Sequence, residues 1–199
     1  MVMTIWQEGE ATMTDFTVHT IENAGDSGAM LADSKKNYGF VPNLHAVMAE
    51  SPSLLEAYKQ VGAIFGKTNL SETERQVIAM TNNRLNGCEY CMAAHTSIMQ
   101  TAKVPDDVIE ALRDGTSIDD PKLEALRVFA EKMNLQRGWI DESDIDQLLQ
   151  AGYSKQTVFD VIVGTAFKVL SNYTNHIAQT PLDEPFEKNV WQAESRSAS

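Results

Sequence analysis

Cysteine is scarce in this chain: 199 residues hold two. Two thiols cannot build the dense disulfide framework of small secreted domains, and a chain of this length buries enough apolar surface to fold without one. Basic charge is scarce too. Sixteen Lys and Arg stand against 28 Asp and Glu, a formal net charge of −12. With no basic patch visible, neither nucleic acid nor an anionic membrane surface is expected as a partner. No apolar run approaches the length that spans a bilayer. The opening MVMTIWQEGEATMTDF lacks the basic start and apolar stretch of a secretion signal. A cytoplasmic location is expected, where free thiols stay reduced unless they work. Alternating strand patterns, internal repeats and low-complexity blocks are missing as well.

What is present is helical spacing. The first 15 or so residues are polar and patternless, and 191–199 look frayed; between them, 16–190 reads as one all-α domain of about eight helices. Pro42 and Pro52 stand where helices start, with Asn43 or Ser51 able to cap. Ser71 and Glu74 form an S-x-x-E capping box ahead of an apolar face of Val77, Ile78 and Leu85. Asn86-Gly87 ends or bends that helix. Helices are expected from Cys88 to about Ala102, over VPDDVIEALRDG, from Pro121 through Met133, and over DESDIDQLLQAG. The last, SKQTVFDVIVGTAFKVLSNYTNHIA, is apolar almost all round through Val169, which suggests a central or interface-buried element.

Both cysteines fall in LNGCEYCMAAHTS, where Cys88, Cys91 and His95 stand at offsets of 0, 3 and 7. On a helix those positions lie within roughly 60° of one another, so the three groups share one face. Behind Gly87, the cysteines also sit at the positive end of a helix, where free amide N–H groups favour a thiolate. An ordinary thiol near 8.5 is only about 3% ionised at pH 7; a drop of about two units makes most of it thiolate. The spacing allows a disulfide after small adjustment. Cys88, Cys91 and His95 could instead hold zinc, with a fourth ligand from His45, His176 or an acid, or the cysteines could be inert core residues. A c-type haem is excluded because Met92, not histidine, follows Cys91. A thioredoxin relative is excluded because no βαβ pattern surrounds the motif.

The segment LSETERQVIAMTNNRLNGCEYCMAAH, with GFVPNLHAVMAESPSLLEAY before it and NYTNHIAQTPLD after it, resembles the alkylhydroperoxidase D and carboxymuconolactone decarboxylase superfamily, in its peroxidase-related branch. The resemblance spans about Tyr38 to Pro185. It implies an all-helical homo-oligomer, a trimer or hexamer, that reduces hydroperoxides with electrons from an external dithiol and needs no cofactor or metal. It gives Cys91 the attack on the peroxide, Cys88 the closing of a disulfide, and His95 a place in a proton relay. The family's relay usually has a glutamate twelve residues before the first cysteine, where this chain has Gln76. An amide hydrogen-bonds but does not exchange a proton at neutral pH. Either the relay shortens to His95 and water, or the substrate departs from an ordinary peroxide. Glu74 is a candidate substitute that fits the capping box better. Tyr173 and His176 are candidate pocket residues, although a histidine near a helix end is more often structural. A redox-sensing or metal-binding module, or a decarboxylase-like enzyme, are the rival readings.

Overall fold

The structure is a computed structural model that describes residues 15–193. The expected flexible segments therefore lie mostly outside the described residues. Within them the chain is all α, with no strand. Nine helices are described: α1 (Gly28–Tyr38), α2 (Asn43–Met48), α3 (Pro52–Phe65), α4 (Glu72–Leu85), α5 (Glu89–Thr101), α6 (Asp106–Asp114), α7 (Pro121–Leu135), α8 (Glu142–Gln150) and α9 (Lys155–Ala178).

Local signals set these boundaries. Ser51 caps α3 by accepting from the Leu54 N–H, and Pro52 opens it. Ser71 and Glu74 close both halves of the capping box on α4; such a cap is worth about 1 kcal/mol. Gly87 takes a left-handed φ of 66° between α4 and α5, a conformation that a side chain disfavours. Gln179, with φ 46°, ends α9 two residues before Pro181. Asp120 caps α7 ahead of Pro121.

The long α9 packs on α2, α3, α4, α5 and α7. Gly164 lets it come close: a Cβ there would lie 2.7 Å from both Ile78 and Phe65. One apolar cluster fills the space among α4, α6, α7, α8 and α9 around Ile78, Met80, Leu112 and Leu126. A second, around Leu31, Leu44, Met48, Leu55 and Tyr58, includes both cysteines.

Between α4, α7 and α9 runs a file of asparagines. Asn134 Nδ2 donates to Asn86 Oδ1 at 3.2 Å, Asn86 Nδ2 to Asn172 Oδ1 at 2.8 Å, and Asn172 Nδ2 to Asn83 Oδ1 at 3.0 Å. Asn83 Nδ2 ends the file on the Cys91 carbonyl at 3.4 Å.

No helix among the described residues is long and apolar enough to cross a membrane. Trp191 lies in the region expected to fray, yet its indole N–H donates to the Arg113 carbonyl at 3.0 Å.

Candidate active site

Cys88 is the residue that caps α5, and Cys91 stands in its first turn. Both are buried, at 1% and 2% exposure, and both are free thiols. The side-chain amide of Asn175, on α9, reaches both sulfurs: Nδ2 lies 3.2 Å from Cys91 Sγ and 3.5 Å from Cys88 Sγ. The sulfurs therefore face α9 together.

The two thiols are not equivalent. Burial pushes Cys91 up, but a hydrogen bond from Cys88, the charge of Lys168 and hydrogen bonds from Ser171 and Asn172 outweigh it and bring the thiol down to about 5. Cys88 moves the other way, because the hydrogen bond it gives to Cys91 and its own burial both favour the protonated form. The surroundings thus favour the thiolate at Cys91 and the thiol at Cys88.

His95 lies one turn further along α5, 8% exposed. Its Nδ1 is 2.8 Å from Gln76 Oε1, and its Nε2 is 2.8 Å from Lys168 Nζ. Gln76 Nε2 donates to Glu72 Oε1 at 2.8 Å, which fixes the amide with its oxygen toward the ring. An oxygen acceptor on one side and an ammonium donor on the other select one tautomer: neutral imidazole with the proton on Nδ1. Burial and the Lys168 charge hold the ring well below its ordinary pKa, in agreement with that form. Among the described residues, no hydrogen bond joins His95 to either sulfur.

The other candidates stand elsewhere. Glu74 is held by its capping box and by Lys122 at 3.0 Å. Tyr173 is 54% exposed and stacks against His176, with centroids 6.5 Å apart. Tyr173 lines an apolar groove of about 390 Å³ with Met48, Leu54 and Ile177. His45 Nδ1 meets Ser34 Oγ at 2.9 Å. No group of three His, Cys, Asp or Glu suited to a metal is found among the described residues, and both His95 nitrogens are engaged inside the chain.

Three site residues escape the reading of the sequence: Lys168, Asn172 and Asn175, all on α9. Lys168 is fully buried, inside the stretch that looks apolar all round. The available signal was spacing. Lys168, Ser171, Asn172 and Asn175 recur at three- and four-residue intervals, so they share one face, and that face is the buried one.

A buried CxxC pair opening a helix in an all-α bundle, with a histidine one turn on, defines an AhpD-like fold. Residues 52–132 match the model of the carboxymuconolactone decarboxylase family, and the fold is that of the AhpD-like proteins. The crystal structure of an alkylhydroperoxidase AhpD core, a peroxidase-related protein from Ralstonia eutropha JMP134, is similar with a TM-score of 0.78 at 24% identity, over 87% of this chain and 94% of that one. A peroxidase-related protein from Silicibacter sp. TM1040 is similar with a TM-score of 0.74 at 20% identity, over 89% and 97%. The debrominase Bmp8 in complex with 2,3,4-tribromopyrrole also gives 0.74, at 18% identity over 89% and 96%. No curated protein matches the chain.

Proposed function

We propose that the protein is a thiol-dependent peroxidase that reduces organic hydroperoxides through Cys91 and Cys88. One observation carries this reading: two buried thiols share the Asn175 amide, Cys91 at 3.2 Å and Cys88 at 3.5 Å, and their surroundings bias Cys91 toward the thiolate and Cys88 toward the thiol. A single-step nucleophile needs only the first. A pair that must attack and then close a disulfide needs both, because the thiolate attacks and the neighbour resolves as its proton passes to the departing hydroxyl. Cys91 attacks the terminal peroxide oxygen, the O–O bond breaks, and a sulfenic acid forms. Cys88 displaces its hydroxyl as water, and an external dithiol reopens the disulfide. His95, held neutral by burial and the Lys168 charge and oriented by Gln76, forms the polar side of the site.

The proposal places the enzyme in the cytoplasm, where dithiol reductants are supplied, and as a homo-oligomer. The outer side of α9 supports association. Phe159 and Ile177 stand 67% and 62% exposed along it, and a groove of about 890 Å³ opens beside Ile162, Ala166 and Val169. Turnover of cumene hydroperoxide with a dithiol tests the activity on wild type, Cys91→Ser and Cys88→Ser. Loss of all turnover in Cys91→Ser is expected. Cys88→Ser is expected to stop after one equivalent, with a sulfenic acid trapped at Cys91. Turnover that survives Cys91→Ser refutes the reading.

A further inference from the structure

We propose that Lys168 is the counter-ion of the Cys91 thiolate and carries the proton of the peroxide reaction, in the place that a carboxylate relay would fill. The second half of this rests on the peroxidase reading; the first does not.

Lys168 is fully buried, and no carboxylate pairs with it among the described residues. Its one hydrogen-bond partner is neutral, the bare Nε2 of His95. Of its three N–H donors, two have no oxygen or nitrogen partner among the described residues. A buried ammonium without an anion is strongly disfavoured, so such a group finds a counter-charge or gives up its proton. The titratable groups that face it are few. Cys91 and His95, both of α5, feel its charge; Cys88, which caps α5, and Tyr58 of α3 stand beside Cys91. Glu72 of α4 is separated from the ring by Gln76. Burial holds the Tyr58 phenol protonated, and Cys88 stays a thiol. Cys91 is the group left to carry the negative charge, and the Lys168 charge is among the causes that lower its thiol.

The protons then balance. Cys91 sulfur attacks the terminal oxygen of ROOH, the S–O bond forms and the O–O bond breaks. The departing alkoxide takes a proton from Lys168, which leaves Cys91 sulfenic acid, ROH and a neutral amine. Cys88 thiol attacks the sulfenic sulfur, and its proton leaves with the hydroxyl as water. The external dithiol is oxidised as it reduces the disulfide. Its two protons restore Cys88 thiol and the Lys168 ammonium, and Cys91 returns as thiolate. The lysine charge thus follows the sulfur: ammonium with the thiolate, amine with the disulfide.

Lys168→Met and Lys168→Arg test this in the reduced full-length protein. The readout is thiolate absorbance at 240 nm against pH, with the alkylated cysteine located by peptide mass mapping. Wild type and Lys168→Arg should titrate near 5; Lys168→Met should titrate at or above the ordinary thiol value of about 8.5. Its alkylation at pH 7 should then slow at least about 30-fold, from the thiolate fraction alone. An unchanged midpoint in folded Lys168→Met overturns the proposal. A second measurement needs no variant: the 15Nζ resonance of Lys168 in selectively labelled wild type should change from ammonium to amine when the disulfide forms at pH 7. The same resonance in both states overturns the proton-carrier role. If Lys168 sets the thiolate midpoint while cumene hydroperoxide is not turned over, the counter-ion stands and the peroxidase reading falls.

Discussion

Two buried histidines in this protein each have a lysine beside them, and only one of those lysines has a carboxylate. Around His45, Lys59 Nζ reaches Asp33 Oδ2 at 2.6 Å, the Met30 carbonyl at 2.9 Å and Ser34 Oγ at 3.1 Å. Ser34 Oγ in turn meets His45 Nδ1 at 2.9 Å. Every charge there is answered, and Asp33 is partly in water. Around His95 the arrangement is similar, but no carboxylate meets Lys168 among the described residues, and a thiol stands nearby instead. The first cluster is finished as folded. The second is left one anion short, and Cys91 supplies it by ionising. A buried lysine by itself says little; what answers its charge separates a structural group from a reactive one.

Acid should break the structural cluster with the largest effect. Burial, with the Lys59 charge adding to it, lowers His45 from 6.5 to about 4. Between those values the unfolded chain binds a proton that the folded chain refuses. The contribution is therefore fully present above about pH 6.5 and drains away as pH falls toward 4, by about 3 kcal/mol. Urea unfolding at several pH values should show this decline, and His45→Gln should lose one proton of its slope. Identical slopes would mean that His45 is not the titrating group.

Giving the second cluster a carboxylate should have an intermediate effect. In Lys168→Met, adding Gln76→Glu places an anion against His95 Nδ1, and an opposite charge at that distance favours imidazolium. The cation lost at position 168 reappears on the ring. About tenfold of the lost Cys91 alkylation rate at pH 7 should return. No recovery would show that the ammonium must be at Nζ to act on the sulfur.

The smallest effect is expected where the comparison predicts indifference. Lys59→Met should leave the Cys91 alkylation rate within about twofold. It should lower stability by about 1 kcal/mol, the net value of a few hydrogen bonds and one half-exposed ion pair. Circular dichroism melting and alkylation kinetics measure both. A large loss of thiol reactivity would mean that the two clusters are electrically coupled.

Much of the architecture was legible because its signals are local. Ser71 with Glu74, Pro52, Pro121 and Gly87 each act within a turn or two of themselves. Cys88, Cys91, His95 and Gln76 were legible for a related reason: three lie within eight residues, and the fourth stands one helix before them. Lys168 was hidden because its meaning is set by distance in space. A lone lysine between Phe167 and Val169 looks like a long side chain reaching for solvent, and only the packing of α9 on α4 and α5 buries it. The stretch NYTNHIAQ holds two more groups of this kind. Tyr173 and His176 draw notice as aromatic and titratable, while Asn172 and Asn175 of the same turns reach Cys91.

The file of asparagines has a direction. From Asn134 through Asn86, Asn172 and Asn83 to the Cys91 carbonyl, every amide gives a hydrogen toward α5, and each after the first takes one from behind. An apolar seam between helices tolerates sliding by a turn, since one aliphatic side chain fills much the same space as the next. A one-way row of amides does not, because a slip leaves buried donors facing donors. The row works as a key that admits one register of α9 on α4, and so brings Lys168 and Asn175 to the cysteines each time the chain folds.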